Sequence, residues 1–138
     1  MKKRSFVFLL FWAMMLIAFA QEKAVSTTKE AEDNRVYDIV EVNATFPGGE
    51  DALFKWLSAN MRYPSKARDE GIQGRVIVKF IVEKDGSITK LNVVRSPDPS
   101  LSKEAKRLFK KMPEWIPAMQ GGKTVRSNYT LPLVFKLS

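Results

Sequence analysis

Apolar and polar positions alternate most regularly over residues 75–83. Val76, Val78, Phe80 and Val82 share one face, and Arg75, Ile77, Lys79, Ile81 and Glu83 share the other. A period of two is the signature of a strand with one buried face. Asp85-Gly86 follows as a hairpin turn. Residues 88–95 then read as the returning strand, with Leu91 and Val93 expected inward. The alternation returns over residues 125–137, where Tyr129, Leu131, Leu133, Phe135 and Leu137 fall on one face. Pro132 lies in the middle of that run and has no N–H to give a ladder, so this strand is expected at a sheet edge. An edge offers unpaired backbone groups to which a partner strand can add.

Between these runs the period changes to that of a helix. After the turn Phe46-Pro47-Gly48-Gly49, Glu50 and Asp51 sit where a helix dipole favours negative charge, and Leu53, Phe54, Leu57 and Met61 follow at helical spacing. Pro64 ends that helix, residues 65–70 allow one or two further turns, and Gly71 caps them. Asp98-Pro99 opens a second helix as N-cap and first helical residue, with Leu101, Ala105, Leu108, Phe109 and Met112 as its apolar stripe. Pro113 stops it, and residues 114–124 read as a connection that carries Trp115 as a core plug and Gly121-Gly122. Residues 36–42 are β-branched enough to be a further strand. The expected fold is α+β: two layers, two helices packed on a three-stranded antiparallel sheet, with an N-terminal strand as an optional addition.

Ahead of this lies a basic Met1-Lys2-Lys3-Arg4, an apolar run over residues 5–20 and the small residues Ala18 and Ala20. This is the pattern of a secretory signal cut after Ala20. The other reading is an uncleaved anchor, although this run of 16 residues falls short of the ~20 that cross a bilayer. The expected organisation is 1–20 signal or short anchor, 21–45 polar leader with the candidate strand, and 46–138 the domain proper. Either reading exports the domain to the periplasm, which removes nucleic acid as a partner.

Composition then narrows the chemistry. The chain has neither cysteine nor histidine. Thiol nucleophiles, disulfides, imidazole bases and Cys/His zinc sites are therefore out of reach. The net charge of +8 falls to +5 once Lys2, Lys3 and Arg4 are set aside, a mildly basic balance that suits acidic envelope partners. Ser100-x-x-Lys103 has a nucleophile–base spacing but none of the partner motifs. Gly122-Lys123-Thr124 lacks the glycine a phosphate loop needs five residues earlier, where Pro117 stands. The pairs Glu50/Asp51 and Asp69/Glu70 lie at helix ends without a third group. The lysine run over residues 103–111 reads as a solvated helix face. No catalytic, cofactor or metal residues are expected, and the protein is not expected to be an enzyme.

The ordered set Tyr63-Pro64, Ala67, Gly71-Ile72, Gly74, the strand at 76–82, Asp85-Gly86, Ala105, Met112-Pro113, Trp115, Pro117, Gly122-Lys123 and Tyr129-x-Leu131-Pro132-x-x-Phe135 resembles the TonB C-terminal domain family. Phe46-Pro47-Gly48-Gly49 looks like the variety found in Bacteroidetes-type energy transducers. The resemblance implies a domain that grips the TonB-box peptide of an outer-membrane TonB-dependent transporter by strand addition, in support of energy-coupled transport. By motif, it places partner-binding residues at Asn60, Tyr63 and Pro64 and at Asn128, Tyr129, Leu131 and Leu133. Inner-membrane motor proteins are further partners if residues 5–20 anchor the chain, and an exposed edge allows a homodimer. The alternative is a stand-alone periplasmic protein-binding or cell-wall-associated structural domain with no part in energy transduction.

Overall fold

The computed structural model describes residues 32–138; the expectations for the signal or anchor, and for the leader up to residue 31, lie outside them. Within the unit Asn34–Ser138 the elements are β1 (Val36–Tyr37), α1 (Glu50–Asn60), α2 (Ser65–Asp69), β2 (Gly74–Val82), β3 (Ile88–Arg95), α3 (Pro99–Lys111), β4 (Ala118–Gln120) and β5 (Lys123–Phe135). The sheet runs β1-β5-β2-β3, and β4 pairs with β5. β2 is central. It holds β3 through the Asp85-Gly86 hairpin and β5 along its whole length, from Gly74 opposite Phe135 to Val82 opposite Ser127.

The alternating residues behave as their period requires. Val76, Val78, Phe80 and Val82 are at most 1% exposed, and they join Leu53 and Leu57 of α1 with Leu101, Ala105, Leu108 and Phe109 of α3 in one core. The helices therefore cover this face of the sheet. Trp115 is the expected plug. It is buried, and its ring meets those of Phe46, Phe80 and Tyr129 at 5.8, 5.4 and 4.9 Å. Asp98 caps α3, its carboxylate accepting from the Ser100 N–H at 2.9 Å.

Three details differ from the sequence reading. The connection over residues 114–124 contains a strand, β4, returned to β5 by Gly121-Gly122, both at positive φ. Among the described residues ahead of α1, strand pairing is confined to Val36–Tyr37, with isolated bridges from Val42 to Met119 and from Thr45 to Ile116. On β3, Leu91 and Val93 are only half-buried, because the β2–β3 register shifts twice and Lys90 adopts φ 53°.

Candidate functional site

β5 carries four of the residues expected at the site, Asn128, Tyr129, Leu131 and Leu133. One side is fully occupied by β2 over residues 127–135. β4 takes the start of the strand, and β1 pairs in parallel with Arg126 and Ser127. From Asn128 onward, no strand among the described residues pairs with the other side. The last strand is thus an edge over its second half only.

Pro132 reveals which residues face that edge. In an antiparallel ladder, successive residues point their N–H and C=O alternately toward and away from the neighbour. The β2–β5 register continues through Pro132, opposite Ile77, with no slip. A residue without an N–H keeps the ladder intact only where the backbone faces away. Asn128, Thr130, Pro132 and Val134 therefore turn their backbone groups outward, and Tyr129, Leu131 and Leu133 turn theirs to β2.

This sorts the residues expected from sequence. Leu131 and Leu133 are buried, at 6% and 1% exposure, so they hold the strand to the core. Tyr129 is half-buried, stacked at 5.5 Å on Phe80. Burial, reinforced by the Glu50 charge, pushes its hydroxyl above the usual tyrosine value. The Asn128 amide donates to Asp38 at 2.7 Å, tying the start of the open edge to the chain just after β1. Tyr63 lies at the far end of β5, its ring edge-on to Phe135 at 5.8 Å and its hydroxyl donating to the Ile72 carbonyl. Pro64 is the residue from which α2 starts. Asn60 belongs to a different environment. Its side chain donates to the Trp56 carbonyl, and its own carbonyl accepts from Arg107 of α3.

The Arg107 contact is part of a buried polar knot. Glu104, 7% exposed, receives both Arg107 nitrogens at 2.6 and 2.7 Å and the Arg62 N–H at 2.6 Å. Burial alone would raise its carboxyl value. The two arginines outweigh that and hold it below the usual glutamate range. The knot fixes residues 60–62 against α3, just before Tyr63-Pro64.

Beside the open edge lies a groove of about 450 Å³, lined on one wall by Tyr129, Thr130, Leu131 and Pro132. Residues 43–46 and Glu50, Leu53 and Phe54 of α1 form the other wall. Sequence reasoning missed this wall. It read Phe46 only as part of a turn, yet Phe46 is buried and packs on Trp56 and Trp115. It placed Phe54 on the core stripe, yet Phe54 is 54% exposed. The available signal was phase. Leu53, Leu57 and Met61 repeat at four-residue intervals, and Phe54 stands one position off that line. Among the described residues there is no cluster of three metal-ligating side chains, and no helix is long and apolar enough to cross a membrane.

Comparison with known proteins places these features in context. The family described as "Gram-negative bacterial TonB protein C-terminal" matches residues 59–137. Protein TonB of Pseudomonas aeruginosa is 34% identical over 76 residues, 54% of this chain and 22% of that protein. Protein TonB of Helicobacter pylori is 45% identical over 40 residues, 29% of this chain and 14% of that protein. The matched segment thus spans less than a quarter of the length of these relatives. Among solved structures, the Pseudomonas aeruginosa TonB C-terminal domain shares 34% identity at a TM-score of 0.46, over 55% of this chain and 77% of that one. A Helicobacter pylori TonB C-terminal domain shares 25% at 0.48, over 67% and 87%.

Proposed function

The chain belongs to the family of Gram-negative bacterial TonB protein C-terminal domains, and on that basis we propose that it binds outer-membrane TonB-dependent transporters by strand addition to β5, supporting energy-coupled transport. The observation that carries the reading is the edge from Asn128 to Val134, which no described strand pairs, with its outward donors at Thr130 and Val134. Residues 46–138 form the binding domain in this reading, and its place of work is the periplasm. Tyr63-Pro64, held on Phe135, flanks the end of the edge. The reading involves no catalytic step.

The test uses a synthetic peptide copied from the N-terminal extended segment of a transporter of the same organism, titrated into isotope-labelled protein. Amide shifts should concentrate at residues 128–134. Thr130→Pro removes one outward donor without touching the β2 ladder. It should weaken binding roughly fivefold to tenfold, the worth of about one hydrogen bond, and leave thermal unfolding unchanged. Binding that ignores Thr130→Pro but disappears in moderate salt would reject edge pairing and point to basic-surface adhesion.

A further inference from the structure

The groove beside β5 has one wall inside the family-matched segment and one wall outside it. Residues 129–132 lie within residues 59–137, whereas residues 43–46 and Glu50, Leu53 and Phe54 precede them. The second wall thus lies ahead of the family-matched segment. It faces the place where an added strand would lay its side chains. A strand paired with the outward backbone of Thr130 and Pro132 directs alternate side chains to the helix side of the sheet, which is the side on which Tyr129, Leu131 and α1 lie.

Resting on the strand-addition reading, we infer that this groove selects the added segment, taking a large apolar side chain against Phe54 and a lysine or arginine two positions away against Glu50. The spacing follows from the two elements. Glu50 and Phe54 are one helical turn apart, about 5–6 Å along the axis. Residues i and i+2 of a strand are about 6.6 Å apart on one face. The apolar subsite is made by Phe46, Leu53, Phe54 and Leu131. Phe54 is the largest exposed apolar group among them, at 54%, and nothing among the described residues covers it fully. A bound aliphatic or aromatic side chain would cover it, and extra carbons there strengthen binding by area. At the other end, the Glu50 carboxylate makes no hydrogen bond or ion pair within the described residues, so a cation on the guest strand finds an unpaired charge at the rim of an apolar slot. The groove runs along four residues of β5, about 13 Å, which leaves room for these two inward side chains and no third.

The test is a displayed library of random octapeptides selected on the full chain, with the enriched sequences resynthesised and measured by fluorescence anisotropy. Enriched peptides should carry Leu, Ile, Phe or Trp two positions from Lys or Arg. Exchanging that apolar residue for Ala should cost about tenfold in affinity. Phe54→Ala should abolish most of this preference, and Glu50→Gln should abolish the preference for Lys over Gln, with the fold retained in both because both side chains are at the surface and Glu50→Gln gives up only its charge at the start of α1. Peptides that lose affinity in Thr130→Pro yet bind wild type, Phe54→Ala and Glu50→Gln equally would overturn the groove inference and leave strand addition standing. A selection yielding no peptide sensitive to Thr130→Pro would overturn strand addition and the groove inference with it.

Discussion

Removing the Glu104 carboxylate should destabilise the domain severely, and the size of the effect can be worked from its partners. Glu104→Ala leaves the Arg107 guanidinium without its bidentate acceptor and the Arg62 N–H without a partner. Breaking one member of a buried ion pair costs about 3–5 kcal/mol. The Arg107 side chain is 27% exposed, so water recovers part of its solvation and the lower end, about 3 kcal/mol, applies. For a domain of this size each kcal/mol moves the midpoint by about 4–8 °C, so the midpoint should fall by at least ~12 °C. The pH dependence carries a sign. The folded carboxyl value lies below the ordinary 4.5, so this contribution is fully present above about pH 4.5 and disappears as pH falls through the lowered value. Glu104→Gln should remove that acid-side loss. Urea unfolding followed by circular dichroism, on Glu104→Leu, Arg107→Leu and the double variant, isolates the pair. The double variant should be markedly more stable than the two single costs predict, because no orphaned charge remains. Additivity to within ~0.5 kcal/mol, or a Glu104→Ala cost below ~1 kcal/mol, would refute the reasoning.

Three further outcomes follow from single positions. Gly86→Ala should cost ~3 kcal/mol or more by urea unfolding, because its Cβ would stand 2.0 Å from the Trp115 carbonyl oxygen at φ +88°. Gly121→Ala, at φ +57° with nothing within 4 Å, should cost only ~1 kcal/mol in the same assay. Tyr129, identified by difference from Tyr129→Phe in an ultraviolet titration, should ionise above the ordinary 10.0 because it is half-buried on Phe80, and Glu50→Gln should bring it partway down. Ionisation at or below the ordinary value would contradict that packing.

The elements most legible in the sequence are those whose local pattern and tertiary role agree. The alternation of β2, the Asp85-Gly86 turn and the Asp98-Pro99 start of α3 each express one local rule, and packing does not override it. β4 was illegible because three residues carry no period, and its existence depends on the two glycines at positive φ that turn it back onto β5. Pro132 pointed to an edge, and the edge is there, but only beyond Ser127, since β1 pairs with the strand before it. No local pattern reports that a two-residue strand from 90 positions earlier returns in parallel. Phe54 was misplaced for a related reason. Helical periodicity defines an apolar stripe, but only the course of residues 43–46 decides which side of that stripe meets the core and which opens on the groove. At the candidate site, the division of β5 into outward and inward backbone required the register.

That register also explains why an open edge and a groove belong together. Four residues face outward, Pro132 contributes an acceptor but no donor, and the parallel pairing of Tyr37 with Ser127 takes the Asn128 N–H, so an added strand gains at most about six backbone hydrogen bonds over residues 128–134. At a net ~0.5–1.5 kcal/mol each they supply ~3–9 kcal/mol. Association of two molecules costs on the order of 4–15 kcal/mol in lost freedom before any contact is counted. Backbone pairing alone thus comes close to break-even, for a guest peptide and for a second copy of this chain alike. With β1 closing one end and Pro132 removing a central donor, the edge is too short and too poor in donors to hold every extended segment it meets. A segment that also buries a side chain against Phe46, Leu53 and Phe54 gains the further free energy that turns a marginal ladder into a complex. Selectivity at this edge is then a property of α1 and residues 43–46, while the strand itself supplies only the geometry of capture.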